Sequence, residues 1–278
     1  MVSLLTGVTG NQGSQVLEHM KGQPVRAFVR NTKNNKTKKL QERGIELASG
    51  DLKDEESIYT ALENVDGAYL VTLMLEKGAQ DEVEQGKAFL AAAKRRNLKH
   101  LVYSSVEGAE RQTGIPHFDS KFEVEELIRE SGIPHTIVRP VAFFDNFPKQ
   151  RGLASFFTLG IFRAGTGYSK KIQLVSCYDI GRVVAAALKN PSKYAGQVIP
   201  LAAEELYVSE IQDKYEKALG TRPWKAWLPR FFLYLLPYDI RCMFLWFGQR
   251  GRGYRANIPA LRREYPGLLT FDEWVKRG

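Results

Sequence analysis

Near its N-terminus the chain has a short apolar run that ends at Thr6, then three glycines at threefold spacing, then a helical pattern. A strand, a tight turn and a helix in that order leave backbone N–H groups and the positive end of a helix dipole facing one point, which suits a pyrophosphate. Here the first glycine permits the turn, the second permits the close approach of a phosphate, and the third permits packing of the helix on the strand. The pattern predicts a dinucleotide-binding loop formed by Gly7, Val8, Thr9, Gly10, Asn11, Gln12 and Gly13.

Apolar runs of strand length alternate with helical patterns through the first half of the chain. Strands are predicted at 2–6, 25–29, 45–48, 68–71, 100–104 and 136–138, and helices at 14–20, 36–43, 55–63, 83–95 and 122–129. Ser120 and Glu123 fit a capping box at the start of the last helix, and Gly132 fits its end. Apolar strands separated by helices predict an α/β fold, a Rossmann-like doubly wound parallel sheet.

The regular alternation of strand and helix patterns ends after Pro140. Strands are predicted at 172–175 and 197–200 and a helix at 179–189 with Asp179 as its N-cap, and from about residue 209 the chain reads as helical and aromatic. We therefore expect a Rossmann domain over residues 1–148. Residues 149–278 are expected to complete the sheet and to add a smaller, mostly helical C-terminal lobe that is not an independent domain.

Composition limits the class of protein. The chain has 278 residues, of which 44% are hydrophobic, and its only cysteines, Cys177 and Cys242, lie far apart in sequence. With no signal peptide, they indicate reduced thiols and a cytoplasmic protein, with the nucleus as a further compartment. The four histidines form no cysteine–histidine cluster with metal-ligand spacing, so no metal site is predicted.

The net charge of +9 is concentrated in residues 21–44 and 221–263. Within the second segment, residues 231–247 are very apolar. Pro237, Asp239 and Arg241 lie at the middle of this stretch, where a bilayer would penalise them. We therefore expect a buried or interfacial helical hairpin and no membrane span.

The residues that follow each predicted strand lie at one edge of the sheet, where the carboxyl ends of the strands meet. After the second strand, Arg30, Asn31 and Lys33 stand where an NAD-selective protein usually has an acid, so this edge suits the 2′-phosphate of NADP(H). After the third, Asp51 either accepts a hydrogen bond from adenine or caps the helix that starts near Asp54. Further contacts with the cofactor are predicted for Leu52, Val71, Thr72, Leu73 and Ser104.

Two later segments complete a family pattern. These are Tyr103-Ser104-Ser105 and His117-Phe118-Asp119-Ser120-Lys121. The same pattern includes the glycine loop and the segments at Arg30, Asp51 and Arg139. With these motifs the chain resembles the NmrA-like branch of the atypical short-chain dehydrogenase/reductases, from Gly7 to about Pro200 and more loosely to the end. The resemblance implies that Lys121 bonds the nicotinamide ribose. It also implies that one segment closes over the nicotinamide: Phe143, Phe144, Asp145 and Asn146.

The resemblance also exposes a departure. The broader superfamily reduces carbonyls with a Tyr-xxx-Lys pair, and here the lysine is Lys121 but His117 stands where the tyrosine would be. His117 is either a substitute proton donor, because imidazole titrates near neutrality, or a loop histidine with a local hydrogen bond. Some NmrA-like proteins resemble cofactor sensors more than reductases.

Two functions follow from these residues. The favoured one is an NADPH-dependent reductase of a small apolar carbonyl, enone or quinone, with an aromatic lobe that buries the substrate. The alternative is a non-catalytic NADP(H)-sensing protein that binds a protein partner through residues 222–263. Binding of that segment to a membrane surface or to nucleic acid is the less favoured reading. The aromatic residues assigned to the lobe are Trp224, Trp227, Phe231, Phe232, Tyr234 and Trp246.

Overall fold

The fold is an α/β arrangement in a computed structural model that describes residues 2–150 and 152–277. Within these residues the strands are β1 (Ser3–Leu5), β2 (Val25–Val29), β3 (Glu46–Ser49), β4 (Gly67–Leu70), β5 (His100–Ser104), β6 (His135–Pro140), β7 (Ala142–Phe143), β8 (Ile172–Val175), β9 (Val198–Leu201) and β10 (Glu204–Leu206). The α-helices are α1 (Asn11–His19), α2 (Asn35–Glu42), α3 (Glu55–Ala61), α4 (Ala79–Arg95), α5 (Pro116–Ser131), α6 (Leu153–Thr166), α7 (Cys177–Lys189), α8 (Pro191–Tyr194), α9 (Val208–Leu219), α10 (Tyr238–Gly248), α11 (Ile258–Glu264) and α12 (Phe271–Lys276).

Seven of the described strands form one parallel sheet in the order β3-β2-β1-β4-β5-β6-β9. The chain moves outward from β1 to β3 and then returns to the other side of β1 with β4. In such a sheet the ligand crevice lies where the order reverses, at the carboxyl ends of the strands. The predicted Rossmann-like, doubly wound fold is confirmed.

Both faces of this sheet are covered by helices, as the apolar strands require. Successive residues of a strand point to opposite faces, and Leu4 and Leu5 accordingly belong to different core clusters. Helices α1 and α7 pack together over one face, and α4 packs on α5 over the other. The buried core therefore fixes the strand ends against which a ligand would lie.

Two helix starts differ from the prediction. Helix α5 begins at Pro116, because a proline is well suited to a first helical position. The Ser120–Glu123 capping box is therefore wrong: Ser120 lies inside the helix, and its hydroxyl donates to Glu82 Oε2 at 2.7 Å. The predicted end is correct, with Gly132 in the left-handed conformation at φ +73°.

Helix α7 begins at Cys177, and its N-cap is Ser176, whose Oγ accepts from the backbone N–H of Asp179 at 3.0 Å. Asp179 is therefore not the cap. Its buried carboxylate accepts instead from the Ser176 hydroxyl and from the backbone N–H of Leu269. The acid thus connects α7 to the C-terminal segment.

The second half of the chain extends the sheet and covers its end. Strand β9 pairs with β6, while β7, β8 and β10 form a small separate sheet. The apolar stretch 231–247 contains a 3₁₀ helix (Arg230–Leu235) and α10, which Pro237 separates. Of the helices in the described residues, none has both the length and the apolar character that crossing a bilayer requires. The boundary at residue 148 stays a prediction.

Candidate functional site

A groove follows the carboxyl ends of the parallel strands and contains two cavities that adjoin at Leu73. The first, of about 360 Å³, lies over β1, β2 and β3. The second, of about 330 Å³, lies over β4, β5 and β6 and is closed by α10. The groove therefore begins at the switch point of the sheet and ends against the C-terminal lobe.

The glycine loop has the geometry that its spacing predicts. Gly7 has φ +65°, and a Cβ on Gly13 would lie 2.3 Å from the carbonyl oxygen of Gly7, so α1 approaches β1 too closely for any side chain. Gly10 is the N-cap of α1, and within the described residues no side chain caps this helix. The first backbone N–H groups of α1 are thus left for a ligand. Val8 and Thr9 line the first cavity, whereas Asn11 is exposed at the helix start.

The end of β2 is basic and polar. Arg30 and Asn31 line the first cavity, and the Asn31 side chain accepts from the backbone N–H of Lys33 at 2.7 Å. Lys33 itself is exposed beside the cavity. The sequence analysis missed Lys36, whose Nζ donates to the carbonyl oxygen of Thr9 at 3.2 Å. This contact places a second cation against the glycine loop.

The segment after β3 also reaches the first cavity. Asp51 and Leu52 line it, and Asp51 Oδ1 accepts from the backbone N–H of Lys53 at 2.9 Å. The N-cap of α3 is Asp54, so the capping role considered for Asp51 is wrong. Sequence reasoning also missed Asn34, which lines this cavity and caps α2 by accepting from the backbone N–H of Thr37.

Lys121 is held by a buried glutamate. Its Nζ lies 2.9 Å from Glu82 Oε1 and 3.4 Å from Thr72 Oγ1, and Glu82 is 2% exposed. Thr72 in turn lies 3.2 Å from the hydroxyl of Tyr103, whose pKa is raised well above its usual value by burial and by the charge of Glu82. Tyr103 is fully buried and lines neither cavity, so it is no substitute for the missing tyrosine acid. Val71, Thr72 and Leu73 all line the second cavity, as does Lys121.

The serines after β5 are used inside the protein. Ser104 is buried, and its hydroxyl donates to Gln12 Oε1 at 2.7 Å, so Ser104 positions the Gln12 side chain. Gln12 lines the second cavity, and Ser104 does not. Ser105 does line it, but its hydroxyl donates to the buried Glu125 at 2.5 Å.

His117 forms a pair with Asp239 that the sequence analysis did not predict. His117 lies in the first turn of α5, and its Nδ1 lies 2.7 Å from Oδ1 and 2.6 Å from Oδ2 of Asp239, which belongs to α10. The backbone N–H of His117 also donates to Asp239 Oδ1, at 2.9 Å. Burial works against ionisation of Asp239, but the hydrogen bonds and charge of His117 outweigh it, so the pKa of Asp239 lies below its usual value. An ionised Asp239 must accept from Nδ1–H, which leaves Nε2 as the ring nitrogen for a ligand.

The segment after β6 divides between the cavity and the core. Phe143 and Asn146 line the second cavity. Phe144 is fully buried and packs against Phe271, and Asp145 accepts from the backbone N–H of Cys177 at 2.8 Å. The predicted ligand contacts of Phe144 and Asp145 are therefore replaced by contacts within the protein.

The second cavity is mostly apolar, but its walls differ from the prediction. Trp224, Trp227, Phe231 and Tyr234 are exposed, and Trp246 is buried in the core. None of the six predicted lobe aromatics lines the cavity in the described residues. Its walls instead come from loops, from α6 and from the C-terminal segment: Val106, Val141, Phe162, Ile240, Met243, Phe247 and Tyr254.

Comparison with known proteins identifies the family. The model of the NmrA-like family matches residues 3–275, which confirms the resemblance seen in the motifs. A photosystem II assembly factor, Ycf39 of Trieres chinensis, is 30% identical over 244 residues, 85% of this chain and 75% of that protein. An NAD(P)H azoreductase of Xenophilus azovorans is 28% identical over 208 residues, 73% of this chain and 68% of that protein.

Among solved structures, the NADPH-dependent quinone oxidoreductase QOR2 of Escherichia coli, complexed with NADPH, superposes with a TM-score of 0.80. It is 23% identical, and the match covers 100% of this chain and 99% of that one. The shared fold includes the whole sheet and the C-terminal lobe. The predicted nicotinamide cofactor agrees with those of the azoreductase, which is an NAD(P)H enzyme, and of QOR2, which is complexed with NADPH.

Proposed function

This chain belongs to the NmrA-like family, and from that premise we propose that it binds NADP(H) in the groove and reduces a small apolar acceptor: a quinone, an enone or another activated carbonyl. One observation carries the proposal. An apolar cavity of about 330 Å³ adjoins the nucleotide half of the groove and contains a histidine, a lysine and two carboxylates. The residues assigned to the nicotinamide end form only part of its lining, and the apolar wall from α6 and α10 is left for a substrate.

The residues present fit a dinucleotide. Bare N–H groups at the start of α1 and the close approach at Gly13 suit the diphosphate, and a side chain on Gly13 is excluded by backbone atoms. Arg30, with Lys33 and Lys36 beside it, suits the 2′-phosphate. Asp51 suits the adenine amino group, since its second carboxylate oxygen is left for a ligand.

Lys121 and Glu82 are proposed to act as one unit. Glu82 and Thr72 each accept one N–H of the ammonium, which leaves its third donor for a ribose hydroxyl. Because Glu82 is buried and also receives the Ser120 hydroxyl, the position of Lys121 is fixed by the fold. The pair binds and orients ligands.

When bound, NADPH supplies a hydride. A carbonyl oxygen that gains negative charge then needs a proton, and His117 is the group in the cavity best placed to give one. Asp239 accepts from Nδ1–H and orients the ring, so the proton leaves from Nε2 to the acceptor oxygen. For a quinone, the hydride brings two electrons and one hydrogen, so this single proton completes the hydroquinone.

The test is single-turnover oxidation of NADPH over a panel of quinones, enones, azo dyes and simple ketones, followed by loss of NADPH absorbance. We expect turnover with quinones or enones and little with simple ketones. Calorimetry with NADPH alone is run in parallel. Binding without turnover on any acceptor rejects the reductase and leaves the non-catalytic sensor, whereas absence of binding rejects the cofactor assignment itself.

A further inference from the structure

Six large side chains that the sequence would place in a core are each more than 60% exposed in residues 224–238. Trp224, Trp227 and Leu235 have exposed fractions of 76%, 75% and 77%. Folded proteins rarely leave so many large apolar groups together on the surface unless something covers them. With three cations between them they form what we call the aromatic-basic surface: Trp224, Lys225, Trp227, Arg230, Phe231, Tyr234, Leu235, Tyr238 and Arg241.

The charge of this surface has one sign. Residues 222–255 contain seven Lys or Arg residues and one acid, Asp239, whose carboxylate is turned inward to His117. The guanidinium of Arg241 lies over the rings of Tyr234 and Tyr238, 5.2 and 5.1 Å from their centroids. The cations thus lie at the level of the exposed rings. A partner that binds this surface and complements its charge is anionic.

Part of the surface is concave. A groove of about 390 Å³ opens between Trp224, Trp227 and Lys225 and is completed by Arg163 and Tyr168. Two indole rings beside two cations suit an anionic group joined to an apolar body. That is the chemistry of a phospholipid head group and the start of its acyl chains.

We propose that the aromatic-basic surface binds the surface of a bilayer that contains anionic phospholipids. The indole and phenol rings enter the interfacial region, Phe231 and Leu235 reach the acyl boundary, and the cations meet lipid phosphates. A second copy of the chain fits less well, because two identical basic faces would oppose like charges. A nucleic acid can stack bases on the exposed rings but has no apolar counterpart for Leu235, whereas the acyl boundary of a bilayer does.

The surface and the candidate cavity share α10. Tyr238 and Arg241 of this helix belong to the surface, and Ile240 and Met243 line the cavity. A lipid-soluble acceptor such as a long-chain quinone would therefore reach the cavity beside the bound bilayer. This consequence rests on the proposed reductase function, whereas membrane binding itself does not.

The experiment is flotation of the full chain with vesicles of phosphatidylcholine alone or with about one-third phosphatidylglycerol, at low and high salt. We expect binding to the anionic vesicles, a marked loss at high salt, and a blue shift of tryptophan emission. Of the four tryptophans, Trp246 and Trp274 are buried, so the shift would come from Trp224 and Trp227.

Two variants locate the contact. The triple variant Trp227→Ala, Phe231→Ala, Leu235→Ala removes exposed side chains and should weaken vesicle partitioning at least about tenfold, with an unchanged melting temperature. The matched control is Val198→Ala, an exposed apolar residue on the edge strand β9, which should bind as the wild type does.

Three results would overturn the proposal. The first is no binding to anionic vesicles, and the second is equal binding to neutral ones or by the triple variant. The third is a concentration-dependent dimer, lost in the triple variant, without vesicle binding, which would assign the surface to a second copy. NADPH binding and turnover in detergent-free buffer report separately on the proposed reductase, so the two failures can be told apart.

Discussion

Replacement of Arg30 by alanine tests the cofactor assignment most directly. Arg30 stands at the carboxyl end of β2, lines the first cavity and is exposed. If its guanidinium binds the 2′-phosphate, Arg30→Ala weakens binding of NADPH and leaves binding of NADH unchanged, because NADH lacks that phosphate. The difference between the two nucleotides is therefore the informative quantity.

The structure sets the magnitude. A hydrogen bond to a charged group contributes about 1.5–3 kcal/mol. Arg30 is open to solvent, and Lys33 and Lys36 remain beside the site after the substitution, so the lower value applies. About 1.5 kcal/mol corresponds to a roughly tenfold rise in Kd for NADPH. The effect should shrink at high salt, because the contact is exposed.

Calorimetric titration of each variant with NADPH and with NADH provides the measurement. The matched control is Lys39→Ala, which removes one positive charge from the last turn of α2. Lys39 does not line the cavity. Equal loss of affinity for both nucleotides would contradict the assignment. An effect of Lys39→Ala as large as that of Arg30→Ala would also refute it, since general electrostatics would then explain both.

Three other perturbations have defined outcomes. His117→Gln should lower kcat for an enone about a hundredfold with little change in KM, because the proposed proton donor is lost; an unchanged kcat would remove His117 from proton transfer. Gly13→Ala places a Cβ 2.3 Å from backbone oxygen and should reduce the free energy of unfolding by about 1–3 kcal/mol in urea titrations, and an unchanged midpoint would show that α1 can move. Burial lowers the pKa of His100 from 6.5 to about 4. The stability that neutral His100 contributes is therefore complete above pH 6.5 and falls by up to about 3 kcal/mol as the pH drops toward 4. His100→Gln should flatten this pH dependence in thermal melts, and an unaltered slope would assign it to other groups.

The nucleotide half of the groove could be predicted because its information is local. In a doubly wound sheet the residue that follows each strand reaches the ligand edge, so Gly7, Arg30 and Asp51 could be assigned from strand ends alone. The shortest strands could not be predicted in this way. Strands β7 and β10 have two and three residues, too few for a period, and they form only through pairing with β8.

The second cavity could not be predicted in the same way. Its charged groups come from α4, α5 and α10. Nothing in the sequence near His117 indicates that Asp239, 122 residues later, will contact it. The one available signal was chemical: Asp239 is the only acid in residues 221–263, a basic and apolar segment where an unpaired carboxylate would be unfavourable. Composition showed the aromatic residues of that segment, but only packing decides which of them face outward.

The buried Glu82 changes how Lys121 must be interpreted. In the broader superfamily the lysine acts on a tyrosine, but here its nearest partners are a 2% exposed carboxylate and a threonine hydroxyl. Loss of activity in a Lys121 variant would therefore be ambiguous, because removing one partner leaves an uncompensated buried charge and destabilises the fold. Changing Glu82 to glutamine at the same time removes that charge and keeps a hydrogen-bonding group. Glu82 lies on α4 and Lys121 on α5, so the ion pair that faces the cavity also joins these two helices, as does the hydrogen bond from Ser120 to Glu82. The double variant therefore separates loss of the cavity cation from loss of helix packing.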